Sequence, residues 1–303
     1  MSGLPRTELP GPKPPWLKIR LDTGENYRDL HRMVQGLKLH TVCQEARCPN
    51  IYECWGDRTA TFMILGDTCT RRCGFCAVAT GRPRAVDPDE PEHVAEAVRH
   101  LELEHAVLTM VDRDDLPDGG AGHVASVIRA VRSRNPECEV EVLTSDFRGV
   151  ERPLDAILAE GPVTFSHNIE TVPRLYPEAR QGSHFERSLG LLRQAVVWRD
   201  QAPRPLVKTG LMVGLGEERD ELLETFAALA EAGVEILTLG QYLRPTLSHL
   251  PVVRYYPPDE FAELRDQALR HGFRHVEAGP LVRSSYHAKR HTQAAAPPGS
   301  GSV

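Results

Sequence analysis

No run of 18 or more apolar residues occurs in this 303-residue chain, so no segment is expected to cross a bilayer as a helix. The opening stretch MSGLPRTELPGPKPPW also lacks the apolar core of a secretory leader. Excess positive charge is missing too: 36 Lys and Arg against 42 Asp and Glu leave a net charge of -6. Without a basic footprint, an arginine-rich arm or an aromatic RNA-binding signature, nucleic acid is not an expected partner, and neither is a membrane. A cytoplasmic protein is the expectation. In that reducing setting an odd total of seven cysteines points to metal ligation or catalysis rather than disulfides.

Residues 1–15 carry five prolines and two glycines, too little apolar content to pack, and residues 294–303 (AAAPPGSGSV) are alike, so both read as mobile arms. Between them, short apolar runs suited to buried parallel strands recur at Thr61–Gly66, Ala106–Met110, Val140–Thr144, Val163–Asn168, Leu206–Val213, Ile236–Tyr242 and His275–Ala278. The segments between them have helical spacing. Val94, Ala97, Val98 and Leu101 fall at i, i+3, i+4 and i+7, as do Val124, Val127, Ile128 and Val131, and Leu222, Phe226 and Leu229 repeat the pattern. Successive strand-helix units without a run of hairpins predict an α/β fold. A partial parallel barrel of six (β/α) units is the first reading, with a doubly wound sheet as the alternative.

Six of the seven cysteines lie between Cys43 and Cys76, as the triplets Cys43, Cys48, Cys54 and Cys69, Cys73, Cys76. The second triplet, C-x3-C-x2-C, directly follows the first strand, at the end where barrel enzymes keep their active sites. Gly74 lets its loop turn, and Phe75 offers a face to a planar ligand. Three thiolates do not complete the four-cysteine set of an ordinary [4Fe-4S] cluster, so one iron is left open. The competing reading is a zinc knot, which normally closes with a fourth Cys or His.

This C-x3-C-x2-C run with an aromatic before its last cysteine resembles that of the radical S-adenosylmethionine enzymes. The resemblance implies a 4Fe-4S cluster on Cys69, Cys73 and Cys76 whose open iron binds S-adenosylmethionine and cleaves it to a 5'-deoxyadenosyl radical. The first triplet, CQEARCPNIYECW, narrows the likeness to the lipoyl synthase family. So do VDRDDLPDGGAGH at 111–123, SHNIETVPRLYPEAR at 166–180, KTGLMVGLGE at 208–217, GQYLRPTLSHLPVVRYYPPDEF at 240–261 and GPLVRSSYHA at 279–288. Two 4Fe-4S clusters are then implied, the auxiliary one on Cys43, Cys48, Cys54 and Ser285 of the R-S-S-Y motif, serving as sulfur donor. An alkoxide is a harder ligand than a thiolate and should be the easiest to lose. Without the resemblance, Arg283, Ser284 and Ser285 read as an ordinary polar tail.

The implied reaction is insertion of two sulfur atoms at C6 and C8 of a protein-bound octanoyl-lysine. The implied partners are an octanoylated lipoyl carrier, a reducing electron donor such as ferredoxin or flavodoxin, and an iron-sulfur carrier that rebuilds the spent cluster. The organisation expected is an N-terminal arm and auxiliary-cluster segment over 1–56, a barrel over 57–280 and a tail over 281–303, with both extensions folding over the barrel mouth. Asn168, Glu170 and Arg180, at and beyond the fourth strand, are candidate cofactor contacts together with Phe75. A methylthiotransferase and a zinc-binding module are the rival readings. The former usually appends an RNA-binding domain, for which this chain has no room after the barrel.

Other polar features are assigned plainer roles. Arg71 and Arg72 are expected to face solvent, as are His287 and His291, whose i, i+4 spacing lacks an H-E-x-x-H frame. Asp112, Arg113, Asp114 and Asp115 read as a charged loop, although Gly119, Gly120 and Gly122 would let backbone approach a ligand. Cys138 reads as a small buried hydrophobe, and Gly214 and Gly216 lack the third glycine of a dinucleotide site.

Overall fold

A computed structural model describes residues 13–19, 21, 23–37, 39–56, 59–201 and 205–296. Residues 1–12 and 297–303 of the two arms lie outside these residues. The strands are β1 (His40–Thr41), β2 (Thr61–Ile64), β3 (Thr68–Cys69), β4 (Ala79–Thr80), β5 (His105–Met110), β6 (Glu139–Leu143), β7 (Thr164–Ser166), β8 (Leu206–Val213), β9 (Ile236–Gln241) and β10 (His275–Gly279). Eight form one sheet in the order β1-β2-β5-β6-β7-β8-β9-β10, all parallel from β2 onward, with β1 antiparallel at one edge. β3 and β4 form a small separate ladder around the second cysteine triplet.

All seven expected strands are present, the last of them adding a seventh parallel strand to the six-unit barrel. Their apolar runs are explained by burial on both faces: β2, β5 and β9 have no exposed residue. The first strand stops at Ile64 rather than Gly66, because Leu65 and Gly66 both adopt positive φ (71° and 92°) and turn the chain toward the cysteine loop. Glu90 and Arg113 hold that turn, accepting from the Leu65 amide at 2.9 Å and donating to its carbonyl at 3.3 Å.

Helices Glu90–His100, Ala121–Arg134, Arg152–Leu158, Phe185–Gln201, Arg219–Glu231 and Pro258–Arg270 fill the crossovers. The faces predicted from spacing are the ones that pack: Val94, Ala97, Val98, Val124, Val127, Ile128, Val131, Phe226 and Leu229 have no exposed surface. Glu90 and Glu92 in the first turn of Glu90–His100, and Arg132 and Arg134 in the last turn of Ala121–Arg134, suit the helix dipole.

Two extensions complete the barrel. In the N-terminal one, helix Glu25–Gly36 packs on helix Ile51–Gly56 through Tyr27 stacked on Tyr52 (5.5 Å) and beside the fully buried Trp55 (5.1 Å). β1 then ties this segment to β2. The C-terminal tail runs from the barrel mouth to its floor: Ser284 lies 3.5 Å from Asn168, just past the end of β7, and Thr292 is hydrogen-bonded at 2.9 Å to Thr164, at the start of β7.

Candidate active site

The second triplet sits on a loop pinned from several sides. The Thr70 amide donates to Asp112 O (3.0 Å), Gly74 N to Ala179 O (2.9 Å), Leu250 N to Gly74 O (2.9 Å), and His249 Nε2 meets Cys76 O at 2.9 Å. Gly74 is required by space: a Cβ there would lie 2.9 Å from Leu250 and 3.1 Å from Glu178 O. The loop is also anchored by Arg71, whose expected solvent exposure is wrong. Its side chain is 5 % exposed, forks onto Asp114 (2.7 and 2.8 Å) and pairs with Asp146 (2.7 Å) and Asp112 (3.3 Å). A guanidinium matches several carboxylates at once, which solvent could not offset here because Asp146 has no exposed surface. Arg72 does face solvent. The Asp112–Asp115 loop is likewise more than a solvated run, since Arg113 is buried and forked onto Asp115.

Cys69, Cys73 and Cys76 line one cavity of about 230 Å³, together with Phe75, Asn168, Glu170, Arg180 and Ser284. Val42 and Ala46 of the N-terminal segment line it as well, so both extensions reach the mouth. Burial, with Asp112 beside it, pushes the Cys69 thiol up to about 12, and burial pushes Cys76 to about 11. Cys73 is raised by burial against the pull of Arg180.

The far wall is built on strain and a neutral histidine. Glu170 takes φ +66°, a conformation that costs a non-glycine residue about 1–3 kcal/mol and marks functional sites. Burial raises its carboxyl above the usual range, with Arg180 opposing. Arg180 donates to Asn168 O (2.7 Å) and Ser188 Oγ (2.9 Å) and reaches His167 Nε2 at 3.3 Å. Burial first, then Arg180, drives His167 down to about 3, so it is neutral, donating from Nδ1 to Thr144 O (2.8 Å) and accepting at Nε2. Asn168 Oδ1 is buried without a hydrogen-bond partner, which is uncommon for a buried acceptor. Gly210 makes room for it, since a Cβ there would stand 2.7 Å from that oxygen.

The first triplet spans two short helices, with Cys43 on Val42–Glu45, Cys54 on Ile51–Gly56 and Cys48 in the connection between them. Thr41 caps Val42–Glu45, which carries Cys43; Cys48 N donates to Cys43 O (3.1 Å) and Cys54 N to Asn50 O (2.9 Å). Burial, then Cys48, pushes the Cys43 thiol up to about 11. The tail closes on this segment: Asn50 Nδ2 donates to Leu281 O (2.8 Å) and Tyr286 Oη to Glu53 (2.8 Å). Ser285 is therefore held on a turn between residues that contact the triplet's own segment. Arg283, read from sequence only as part of a polar tail, interacts electrostatically with both Cys48 and Glu170 and so bridges the two triplets' surroundings. Its only signal was its place in R-S-S-Y.

Among the described residues all seven cysteines are free thiols. The desolvated thiols of Cys69, Cys73 and Cys76, and those of Cys43 and Cys48, fit cationic metal centres, because burial opposes their ionisation unless metal charge compensates it. Cys138 is apart from both, buried with its thiol on Glu139 O at 3.5 Å. Gly214 and Gly216 belong to a turn whose Gly214 and Leu215 amides donate to Glu217 (2.6 and 2.9 Å). Of the two histidines expected in solvent, His291 is instead fully buried, because its helix enters the barrel floor, and His287 is half-buried.

Residues 63–229 match the profile of the Radical SAM superfamily, and residues 6–48 that of the N-terminal domain of lipoyl synthase of the Radical SAM family. Solved structures share the architecture at low identity: methylornithine synthase PylB (13 % identity, TM-score 0.52, 72 % of this chain and 70 % of that one) and Streptococcus suis SuiB with its precursor peptide (11 %, 0.55, 84 % and 53 %). Fold and cysteine loop together define a radical S-adenosylmethionine enzyme. Lipoyl synthases of Rubrobacter xylanophilus (56 % identical over 93 % of this chain and 87 % of that protein) and Koribacter versatilis (54 %, 94 % and 92 %) are similar along nearly the whole length. The chain belongs to the lipoyl synthase family. Its activity is that of a radical sulfurtransferase that inserts two sulfur atoms, at C6 and C8, into a carrier-bound octanoyl group, with S-adenosylmethionine and two 4Fe-4S clusters as cofactors and the auxiliary cluster as sulfur donor.

Proposed function

We propose that Cys69, Cys73 and Cys76 hold the cluster that works with S-adenosylmethionine, and that Cys43, Cys48, Cys54 and Ser285 hold the auxiliary cluster. When bound, these groups supply the one-electron and sulfur chemistry that side chains lack. The chain's own residues bind and shield. Asn168, Glu170 and Arg180 present an open acceptor, a carboxyl and a guanidinium to the polar parts of S-adenosylmethionine, and Phe75 packs beside it. The described parts of residues 1–56 and 281–303 act as covers on the barrel of residues 57–280, keeping water from the reacting carbon. The observation that supports this reading is the sharing of one cavity by the second triplet, the N-terminal segment and Ser284.

Variants separate the roles. Cys73→Ala should abolish S-adenosylmethionine cleavage, while Cys54→Ala should retain cleavage and lose sulfur insertion. Ser285→Ala should bind S-adenosylmethionine and yield no lipoyl group. Anaerobic assays with an octanoyl-lysine peptide, read by mass, decide this; a thiolated product from the Cys54 or Ser285 variant would overturn the donor assignment. Ferredoxin or flavodoxin is the proposed reductant and an iron-sulfur carrier the proposed source of renewed cluster, in the cytoplasm. Among the described residues no helix is long and apolar enough to cross a membrane.

A further inference from the structure

The barrel floor carries a cluster that sulfur insertion does not use. His275 and Glu277 alternate on β10, so their side chains leave the same face of the strand. Helix Ala288–Ala295 brings His291 against them. His275 Nε2 and His291 Nε2 stand 3.5 and 3.7 Å from the same oxygen, Glu277 Oε2, and the ligand atoms of all three residues lie within 4.8 Å of one another. His291 has no exposed surface, yet neither ring nitrogen has a hydrogen-bond partner, and His275 Nε2 has none either.

Two unpartnered imidazole nitrogens aimed at one carboxylate oxygen are costly to bury as they stand. The surrounding charges do not resolve this. Lys208, the buried cation of the floor, is matched by Glu141 at 2.9 Å, and His105 lies between Glu139 (3.5 Å) and Glu141 (3.6 Å). Glu277 is left facing the two imidazoles. Tetrahedral zinc with ligands at about 2.0–2.1 Å has ligand atoms roughly 3.3–3.4 Å apart, close to the two short separations seen here. Two histidines and one carboxylate also form a ligand set that leaves a position open for water. Glu277 and His275 are partly exposed, 36 % and 22 % at their side chains, which gives an ion a way in.

We propose that His275, Glu277 and His291 form a third metal site, distinct from both cysteine triplets, which binds a divalent first-row cation and staples the tail helix to the barrel. His291 is six residues beyond Ser285 on the same tail, so the staple would also fix the R-S-S-Y turn.

The test uses the holoprotein, whose cysteines are occupied by clusters, washed with chelator and titrated with Zn²⁺. One ion should bind per chain, with an X-ray absorption edge fitted by nitrogen and oxygen ligands only, and the thermal midpoint should rise. Glu277→Gln and His275→Gln, both at partly exposed positions, should lose the ion and the rise while keeping full iron and sulfide content; His291→Ala should lose the ion too. Failure of the wild type to bind, sulfur in the zinc shell, or undiminished binding by the Glu277 and His275 variants would each overturn the site.

Discussion

Arg71 shows how a single residue can organise the cysteine loop. It joins Asp112 and Asp114 after β5 to Asp146 after β6, so the ends of two strands and the loop move as one unit. Replacing it by Gln would leave Asp146, which has no exposed surface, with only the longer cationic contact to Arg187 at 3.5 Å. We expect a loss of about 3–5 kcal/mol, read by anaerobic urea unfolding, and a fall in iron content as the loop slackens. A pH effect follows from the same pair. Although burial opposes it, Arg71, together with the Ser183 hydroxyl, holds the Asp146 carboxyl down at about 2, below the ordinary aspartate value. Its stabilisation is therefore complete above pH 4 and is lost as pH falls toward 2. Asp146→Asn should flatten the pH dependence of stability in that window relative to wild type; an unchanged slope would show that other carboxylates dominate. None of this was legible in sequence, because the partners stand 41 to 75 positions away and a charged residue beside a cysteine looks the same whether solvated or paired.

At the scale of elements, the sequence was informative wherever burial imposed a period. The strands of the barrel and the apolar faces of its helices were predicted because parallel strands covered on both sides must be apolar throughout, and crossover helices on one side only. The tail helix was misjudged because AKRHTQAA is polar on its surface, and its descent into the barrel floor depends on contacts with β7 and β10 rather than on its own pattern. Where the tail leaves the mouth, Gly240 of β9 is decisive. Its φ is ordinary, but a Cβ would sit 2.1 Å from the backbone oxygen of Val282. Gly240→Ala should therefore push the tail from the barrel. Iron should drop toward the four atoms of one remaining cluster, with S-adenosylmethionine cleavage retained and sulfur insertion lost. Full iron content and normal product would mean that the tail can shift without penalty.

In the whole molecule, the two ends of the barrel chain meet: Asn50 with Leu281 and Glu53 with Tyr286 join segments more than 230 residues apart. The grouping of six cysteines into two triplets was legible from their count and spacing, whereas the proposed fourth position on Ser285 rests on family likeness, since no local pattern links a serine to cysteines so distant. Such separated segments are expected to be individually weak, because each hydrogen bond contributes only about 0.5–1.5 kcal/mol and neither segment is covered on every side. If a shared cluster holds them, they should gain and lose order together. Hydrogen exchange on the loaded protein should then show protection in residues 43–54 and 281–287 alike, and Cys54→Ala should release amides in both segments while those of β5 to β9 stay protected. Loss confined to residues 43–54, with the tail still protected, would separate the tail from the auxiliary cluster and remove Ser285 from its ligand set.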